Sequence, residues 1–287
     1  MEQSREQVMI NGVLYQKEKA AISVFDHGLL YGDGIYTTMR TYKGKLFLPE
    51  EYLARMYQQA KKINLKIIIS QQKLLQQIIK TIQVNAFPES RVRVTVTRGV
   101  GTFQSGSAAR QTIIIYVVRL EGLPKECYEQ GVRIITVNAK RLLPEIKSTS
   151  QITTSLAKQQ AVKRRAYDAL LVDEQGEVRE ATIANIFFIK NNILYTPGEK
   201  ILQGVTRDII LKIAKPAMKI QVCRIKKEQA YLADECFLTN TTKGIIPVTK
   251  IDNKKVGRGI VGDATKRLMR CLKEWIQEAQ EHEKKRF

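Results

Sequence analysis

The sequence predicts an α/β fold of α+β character in two domains, and three observations carry that prediction. Segments with period-two apolar alternation, the mark of half-buried strands, are interleaved with segments whose apolar residues recur at three and four, the mark of amphipathic helices. The chain's 287 residues exceed the ordinary size of one domain. A break rich in turn residues, Glu121-Gly122-Leu123-Pro124-Lys125, separates two stretches that each open on strands. We therefore expect a smaller N-terminal α/β domain over residues 1–121, a linker over 122–131 and a larger C-terminal domain over 132–287.

The elements follow in order. Met9-Ile10 and Val13-Leu14-Tyr15 flank Asn11-Gly12, a dipeptide that accepts the positive φ of a tight hairpin turn. Pro49-Glu50-Glu51 starts a helix. Proline suits the first turn, acids suit the positive end of the dipole, and Leu53, Met56, Tyr57, Ala60 and Ile63 keep helical spacing. A second helix runs from about Gln71 to Gln83 on Leu74, Leu75, Ile78, Ile79 and Ile82. Val92, Val94 and Val96 alternate with Arg91, Arg93, Thr95 and Thr97 in a half-buried strand, and Thr112–Val118 forms a more buried one. Between them, Arg98–Gly106 meets neither the dinucleotide nor the P-loop spacing and is a candidate substrate loop. Beyond the linker we expect strands at Val132–Val137, Ala169–Val172, Ile186–Ile189 and Ile193–Tyr195, the last two joined by Asn191-Asn192. Helices are expected near Thr153–Arg165, Thr206–Lys215 and Asp263–Gln277.

Composition narrows the function classes. With 44% apolar and 26% charged residues the chain is globular, and no apolar run approaches the roughly 18–20 residues of a membrane span. The polar start, Met1 to Arg5, leads to an expectation of the cytoplasm. Cys127, Cys223, Cys236 and Cys271 lie far apart, as reduced and mostly buried thiols would. The net charge of +20 invites a nucleic-acid reading, but its basic residues are scattered and no zinc-finger or RNP pattern accompanies them. A solvated basic surface suited to anionic metabolites is the expectation; a nucleic-acid-binding protein with a vestigial site is the distant alternative.

The chemistry narrows further. Only His27 and His282 are present, so a zinc site of several imidazoles is excluded and no metal is expected. In Phe25-Asp26-His27-Gly28 the ring suits hydrogen bonding within a turn, with acid–base catalysis as the alternative. Lys147 stands at a strand-to-helix junction before the uncharged, hydroxyl-rich run Ser148–Leu156. Enclosure there would favour a nucleophilic free amine, although many such lysines are simply solvated. Gly204-Val205-Thr206-Arg207-Asp208 precedes an apolar periodic segment, and free N–H groups with a hydroxyl at a helix start suit a phosphate. Glu180, just before an apolar strand, is a surface acid unless a cation lies nearby.

Five segments taken together carry a resemblance: Phe25 through Gly34, Glu51-Tyr52-Leu53-Ala54-Arg55, Ile146-Lys147-Ser148, Glu180 through Asn185-Ile186-Phe187, and Leu202-Gln203-Gly204-Val205-Thr206-Arg207. In order and spacing, over nearly the whole chain, they resemble the class IV aminotransferases, the fold-type IV pyridoxal-phosphate enzymes. The resemblance implies pyridoxal 5'-phosphate held between two domains, and a homodimer. It implies that Lys147 forms the Schiff base and shuttles protons, and that Glu180 keeps the pyridine nitrogen protonated so that the ring is an electron sink. Arg55, Val205, Thr206 and the Thr241-Thr242 turn would grip the phosphate. Leu202 would pack on the ring, and Asn185 would support Glu180 or the ring hydroxyl. Tyr31, Tyr36, Thr38, Arg40 and Arg98 with its loop would line the substrate pocket.

Two reactions share such a site. Branched-chain and D-amino-acid aminotransferases move an amino group to a 2-oxoacid, whereas aminodeoxychorismate lyase releases pyruvate and 4-aminobenzoate. Tyr36-Thr37-Thr38-Met39-Arg40 is similar to the lyase pattern, while Thr102-Phe103-Gln104 departs from the Arg-Gly-Tyr run of many lyases. The D-amino-acid enzymes' Arg-x-His pair is also absent, and Ser150-Gln151 replaces the Asn-Tyr of branched-chain enzymes. Transamination is the leading expectation and the lyase reaction the alternative.

Overall fold

The computed structural model describes residues 6–102 and 108–284; residues 103–106 of the expected substrate loop lie outside the described residues. The chain divides into two compact units, Met1–Glu121 with Ile146–Gln151, and Gly122–Glu145 with Ile152–Phe287.

The first unit contains β1 (Gln7–Ile10), β2 (Val13–Gln16), α1 (His27–Leu30), β3 (Gly34–Tyr42), β4 (Lys45–Leu46), α2 (Pro49–Lys62), α3 (Gln71–Asn85), β5 (Ser90–Gly101) and β6 (Ala108–Arg119). Its strands form an antiparallel sheet in the order β2-β1-β6-β5-β3-β4. Asn11 and Gly12 both take positive φ, 50° and 84°, which closes the β1–β2 hairpin. Val92, Val94 and Val96 pair with Val117, Ile115 and Ile113, and all six are buried. Helix α2 packs on β3, and α3 on β1 and β6. The apolar stripe of α3 is Leu74, Ile78 and Ile82; Ile79, expected on it, flanks the stripe and is exposed. Strand β3 is not among the expected elements. It is buried along both faces from Gly34 to Thr37, which erases the period-two signal.

The expected C-terminal domain, 132–287, does not keep Ile146–Gln151. This segment pairs with β3: Tyr36 N donates to Lys147 O at 2.8 Å, Ile35 bridges Ser148, and Thr149 N donates to Gly34 O at 2.9 Å. Strand β5 fills one edge of β3 over Gly34–Arg40 and β4 covers only Thr41 and Tyr42 on the other, leaving an edge that needs backbone partners.

The second unit contains α4 (Lys125–Glu129), β7 (Val132–Asn138), α5 (Ile152–Lys163), β8 (Asp168–Val172), β9 (Val178–Ala181), β10 (Asn185–Lys190), β11 (Ile193–Thr196), α6 (Val205–Ala214), β12 (Lys219–Val222), α7 (Lys227–Ala230), β13 (Glu235–Asn240), β14 (Gly244–Ile251), β15 (Lys254–Lys255) and α8 (Asp263–Lys284). The mixed sheet runs β12-β11-β10-β13-β14-β7-β8-β9, with β15 on β14. The sequential parallel pairs, β7–β8 and β11–β12, are each joined through a helix, α5 and α6, as parallel crossovers require. Strand β7 serves two cores by alternation. Val132 and Ile134 join Leu170, Ile186, Phe188 and Leu238, while Ile135 and Val137 join Ala169, Leu171 and the α5 alanines Ala157 and Ala161. The region expected as a linker is part of this unit: Cys127 packs on its core and Tyr128 Oη donates to Lys243 O at 3.0 Å. Glu235 on β13 accepts from the N–H groups of Ala264 and Thr265 and so caps the long α8.

Among the described residues no helix is long and apolar enough to cross a membrane. All four cysteines are free thiols. Cys236 is buried; Cys127, Cys223 and Cys271 are only half-buried, less than expected, because they lie at the margins of the packed elements.

Candidate active site

In the first unit the site begins with Lys147. Two glycines let its segment dock. Gly32 has a φ of 67°, and a side chain there would press on Ser150; a Cβ on Gly34 would come within 2.9 Å of Val96 O. Thr149 Oγ1 donates to Gly32 O at 2.7 Å, and Lys147 N donates to Gln59 Oε1 at 3.2 Å. The backbone of the lysine is therefore fixed from β3 and from α2. Its Nζ lies 4.7 Å from the centroid of the Tyr36 ring, whose electron-rich face attracts a cation. Tyr36 is itself buried, with Arg93 Cζ at 3.6 Å from the same centroid and its hydroxyl 3.4 Å from Gln151 Oε1. Lys147 and Tyr36 are thus brought together.

The other first-unit candidates are placed variously. Arg55 on α2 reaches Thr37 Oγ1 at 3.4 Å. Thr38 pairs across the sheet with Arg93. Tyr31, at the end of α1, is exposed and meets the His27 ring edge-on. Arg40 and Arg98, expected along the substrate pocket, are each engaged by an acid. Arg40 Nη2 lies 2.6 Å from Glu89 Oε2. Arg98 grips both oxygens of Asp33, at 2.6 and 3.2 Å, and donates to Ile63 O and Asn64 O at the end of α2. A guanidinium with four such bonds is a staple between β5, the turn before β3 and α2. His27 is buried with Nε2 3.0 Å from Gly101 O, and Asp26 takes the hydroxyls of Thr97 and Thr112, so this pair ties α1 to the sheet.

In the second unit, Glu180 on β9 is the central acid, with its side chain 7% exposed. Its Oε1 accepts from Arg141 Nη1 at 2.5 Å, and its Oε2 from Leu202 N at 3.0 Å. Asn185 Nδ2 donates to Leu202 O at 2.8 Å. Asn185 therefore supports Glu180 through the Leu202 backbone. Two residues on, Gly204 starts α6 with no side chain capping it, and a Cβ there would fall 2.2 Å from Asn185 Oδ1. The first-turn N–H groups of Val205 and Thr206, with the Thr206 hydroxyl, form a helix start of the kind that can receive an anion. Arg207 braces it from inside, donating to Pro197 O and Gln203 Oε1, and burial pulls its pKa below the ordinary guanidinium value. Asn240 Oδ1 accepts from Thr242 N and Oγ1 at 2.8 and 2.7 Å, which fixes the Thr241-Thr242 turn between β13 and β14. Leu202, whose N–H holds the buried Glu180, stands three positions before Val205 at this helix start, a reach of at most about 11 Å. This donor set fits a molecule with a ring cation at one end and a phosphate at the other.

Sequence reasoning missed Arg141, Gln59, Arg93 and Gln151. Nothing local distinguishes Arg141 among the 48 basic residues, and Arg93 reads simply as the polar side of β5.

A sequence model of the family described as amino-transferase class IV matches residues 34–251. A Methanocaldococcus jannaschii protein, carried under a provisional name as a branched-chain-amino-acid aminotransferase, is 35% identical over 277 residues, 93% of this chain and 95% of that protein. The D-alanine aminotransferase of Bacillus licheniformis is 31% identical, over 94% and 96% of the two chains. The aminodeoxychorismate lyase of Bacillus subtilis (strain 168) is 30% identical, over 94% of each. Among solved structures, the T.th. branched-chain amino acid aminotransferase with pyridoxamine 5'-phosphate superposes with a TM-score of 0.90 at 27% identity, covering 96% of this chain and 95% of that one.

Proposed function

Because this chain belongs to the class IV aminotransferase family, we propose that it moves an amino group between an amino acid, of branched-chain or D-amino-acid type, and a 2-oxoacid, with pyridoxal 5'-phosphate as cofactor. The observation that carries the proposal is the buried Glu180 carboxylate, held by Arg141 and by Leu202 N just ahead of an uncapped helix start. The bound cofactor would supply the electron sink needed by a carbanion at the substrate α-carbon. Glu180 would balance the proton on the ring nitrogen, and Leu202 would lie against the ring. The N–H groups of Val205 and Thr206, with the Thr241-Thr242 turn, would bind the phosphate; Arg55 is assigned to it by motif alone. Lys147 Nζ would hold the cofactor and then carry the proton that leaves the α-carbon, standing 4.7 Å from the centroid of the Tyr36 ring.

The test offers the holoenzyme L-leucine, D-alanine and aminodeoxychorismate in turn, and maps the peptide labelled by borohydride. Amino transfer from one of the first two, with the label on Lys147, is expected. Pyruvate and 4-aminobenzoate from the third, with no half-reaction on the amino acids, would instead establish the lyase reaction of the Bacillus subtilis relative.

We further propose that the enzyme is a homodimer. Val24, Phe25, Leu29, Leu30 and Tyr31 of the first unit, on either side of the buried Asp26 and His27, are between 50% and 66% exposed, and their burial against a second copy would be favourable. Light scattering should give twice the 32.8 kDa chain mass, reduced to one chain by Leu29→Glu; a monomeric wild type rejects the assignment.

A further inference from the structure

We propose that Arg141 is a positioning residue for the cofactor, acting through the charge of Glu180; the inference rests on the reading of Glu180 as the acid that faces the pyridine nitrogen. Arg141 Nη1 lies 2.5 Å from Glu180 Oε1 and also donates to Pro144 O at 3.0 Å, with the two side chains 13% and 7% exposed. A carboxylate so enclosed is costly unless a cation accompanies it, because burial strips its hydration. The guanidinium offsets that cost before any ligand arrives, so the negative charge is preorganised.

Arg141 holds the carboxylate at Oε1 and Leu202 N holds it at Oε2, so both oxygens are fixed in place. A ring N–H then meets an acid that cannot rotate. The bond to Pro144 O gives the same guanidinium nitrogen a second task, since Pro144 stands three residues before Lys147 and Arg141 thereby fixes the turn that leads into the lysine segment.

The experiment is a double-mutant cycle on the full chain, with R141M, E180Q and R141M/E180Q read by pyridoxal 5'-phosphate affinity and by the visible absorption spectrum of the holoenzyme. R141M should weaken affinity roughly tenfold to hundredfold, the range for loss of a residue that orients a ligating group, and should shift the absorption maximum. In the E180Q background the same substitution should change affinity by less than about twofold, since there is no charge left to support. R141K, which keeps the cation and loses the planar fork, should recover part of the affinity. Equal losses in both backgrounds, or no loss in either, would overturn the inference while leaving Glu180's role intact. An E180Q protein with unchanged affinity and spectrum would instead remove Glu180 from the cofactor site, and this inference with it. Should R141M not fold, R141K against R141K/E180Q carries the same comparison.

Discussion

Glu180 and Asp168 lie on neighbouring antiparallel strands, β9 and β8, and both are sealed from solvent, yet they are held very differently. Glu180 has a guanidinium at 2.5 Å and a backbone N–H on its second oxygen. Asp168 Oδ1 accepts from the Thr182 hydroxyl and from Ala169 N, and its cation is the Lys158 ammonium at 3.8 Å on a 37% exposed side chain. Its buried Oδ2 has no partner among the described residues. Burial pushes the Asp168 pKa up, with the Lys158 charge and the hydrogen bonds opposing it. Burial alone therefore does not make an anion site. A close, buried cation does.

The comparison is broken most severely at Glu180. Glu180→Ala should lower the amino-transfer half-reaction by a factor on the order of a hundred or more, because the ring cation loses its counter-charge. It should also cost about 3 kcal/mol of stability, since the buried Arg141–Glu180 ion pair is broken. Single-turnover absorbance and urea titration measure the two effects. Asp168→Ala, whose cation is the half-exposed Lys158, should leave the half-reaction rate within about twofold. Equal kinetic losses in both variants would mean that the pairing of Glu180 with Arg141 carries no special chemistry.

The sequence made Glu180 visible by its place in a motif and left its partner unseen. Arg141 sits 39 residues away, and no local period or neighbour marks it. The strands with clean alternation, such as Val92–Val96, were legible because one face is apolar and the other polar. Strand β3 was not, being buried on both sides where it meets β5 and the lysine segment. Lys147 was legible as a candidate, but its unit was not, because its backbone partners stand near Gly34–Tyr36, more than a hundred residues earlier. Arg98 was legible by its place beside a Gly-rich loop, but its partners, Asp33 and two carbonyls at the end of α2, were not, since they stand 34 to 65 residues away. Motifs expose residues whose neighbours are close in sequence; pairing of charges across a fold has to be seen.

The smallest expected effect sharpens the comparison from the Asp168 side. A carboxyl whose folded pKa is raised above its unfolded value binds its proton more tightly when folded, so its contribution is fully present below the ordinary carboxyl range and is lost as pH rises through the raised value. The Lys158 ammonium works against that loss by attracting the ionised form, but at 3.8 Å and in partial contact with water its pull is screened and weaker than the effect of burial. Asp168→Asn copies the protonated acid in shape and cannot ionise. Its melting temperature relative to wild type should therefore be higher near neutral pH than at about pH 4, rising from the ordinary carboxyl range and levelling off once the folded acid ionises. A difference that stays flat across that range, or that moves against the variant as pH rises, would show that Lys158 keeps Asp168 ionised, and the two acids would then differ in the distance of their cation and not in charge.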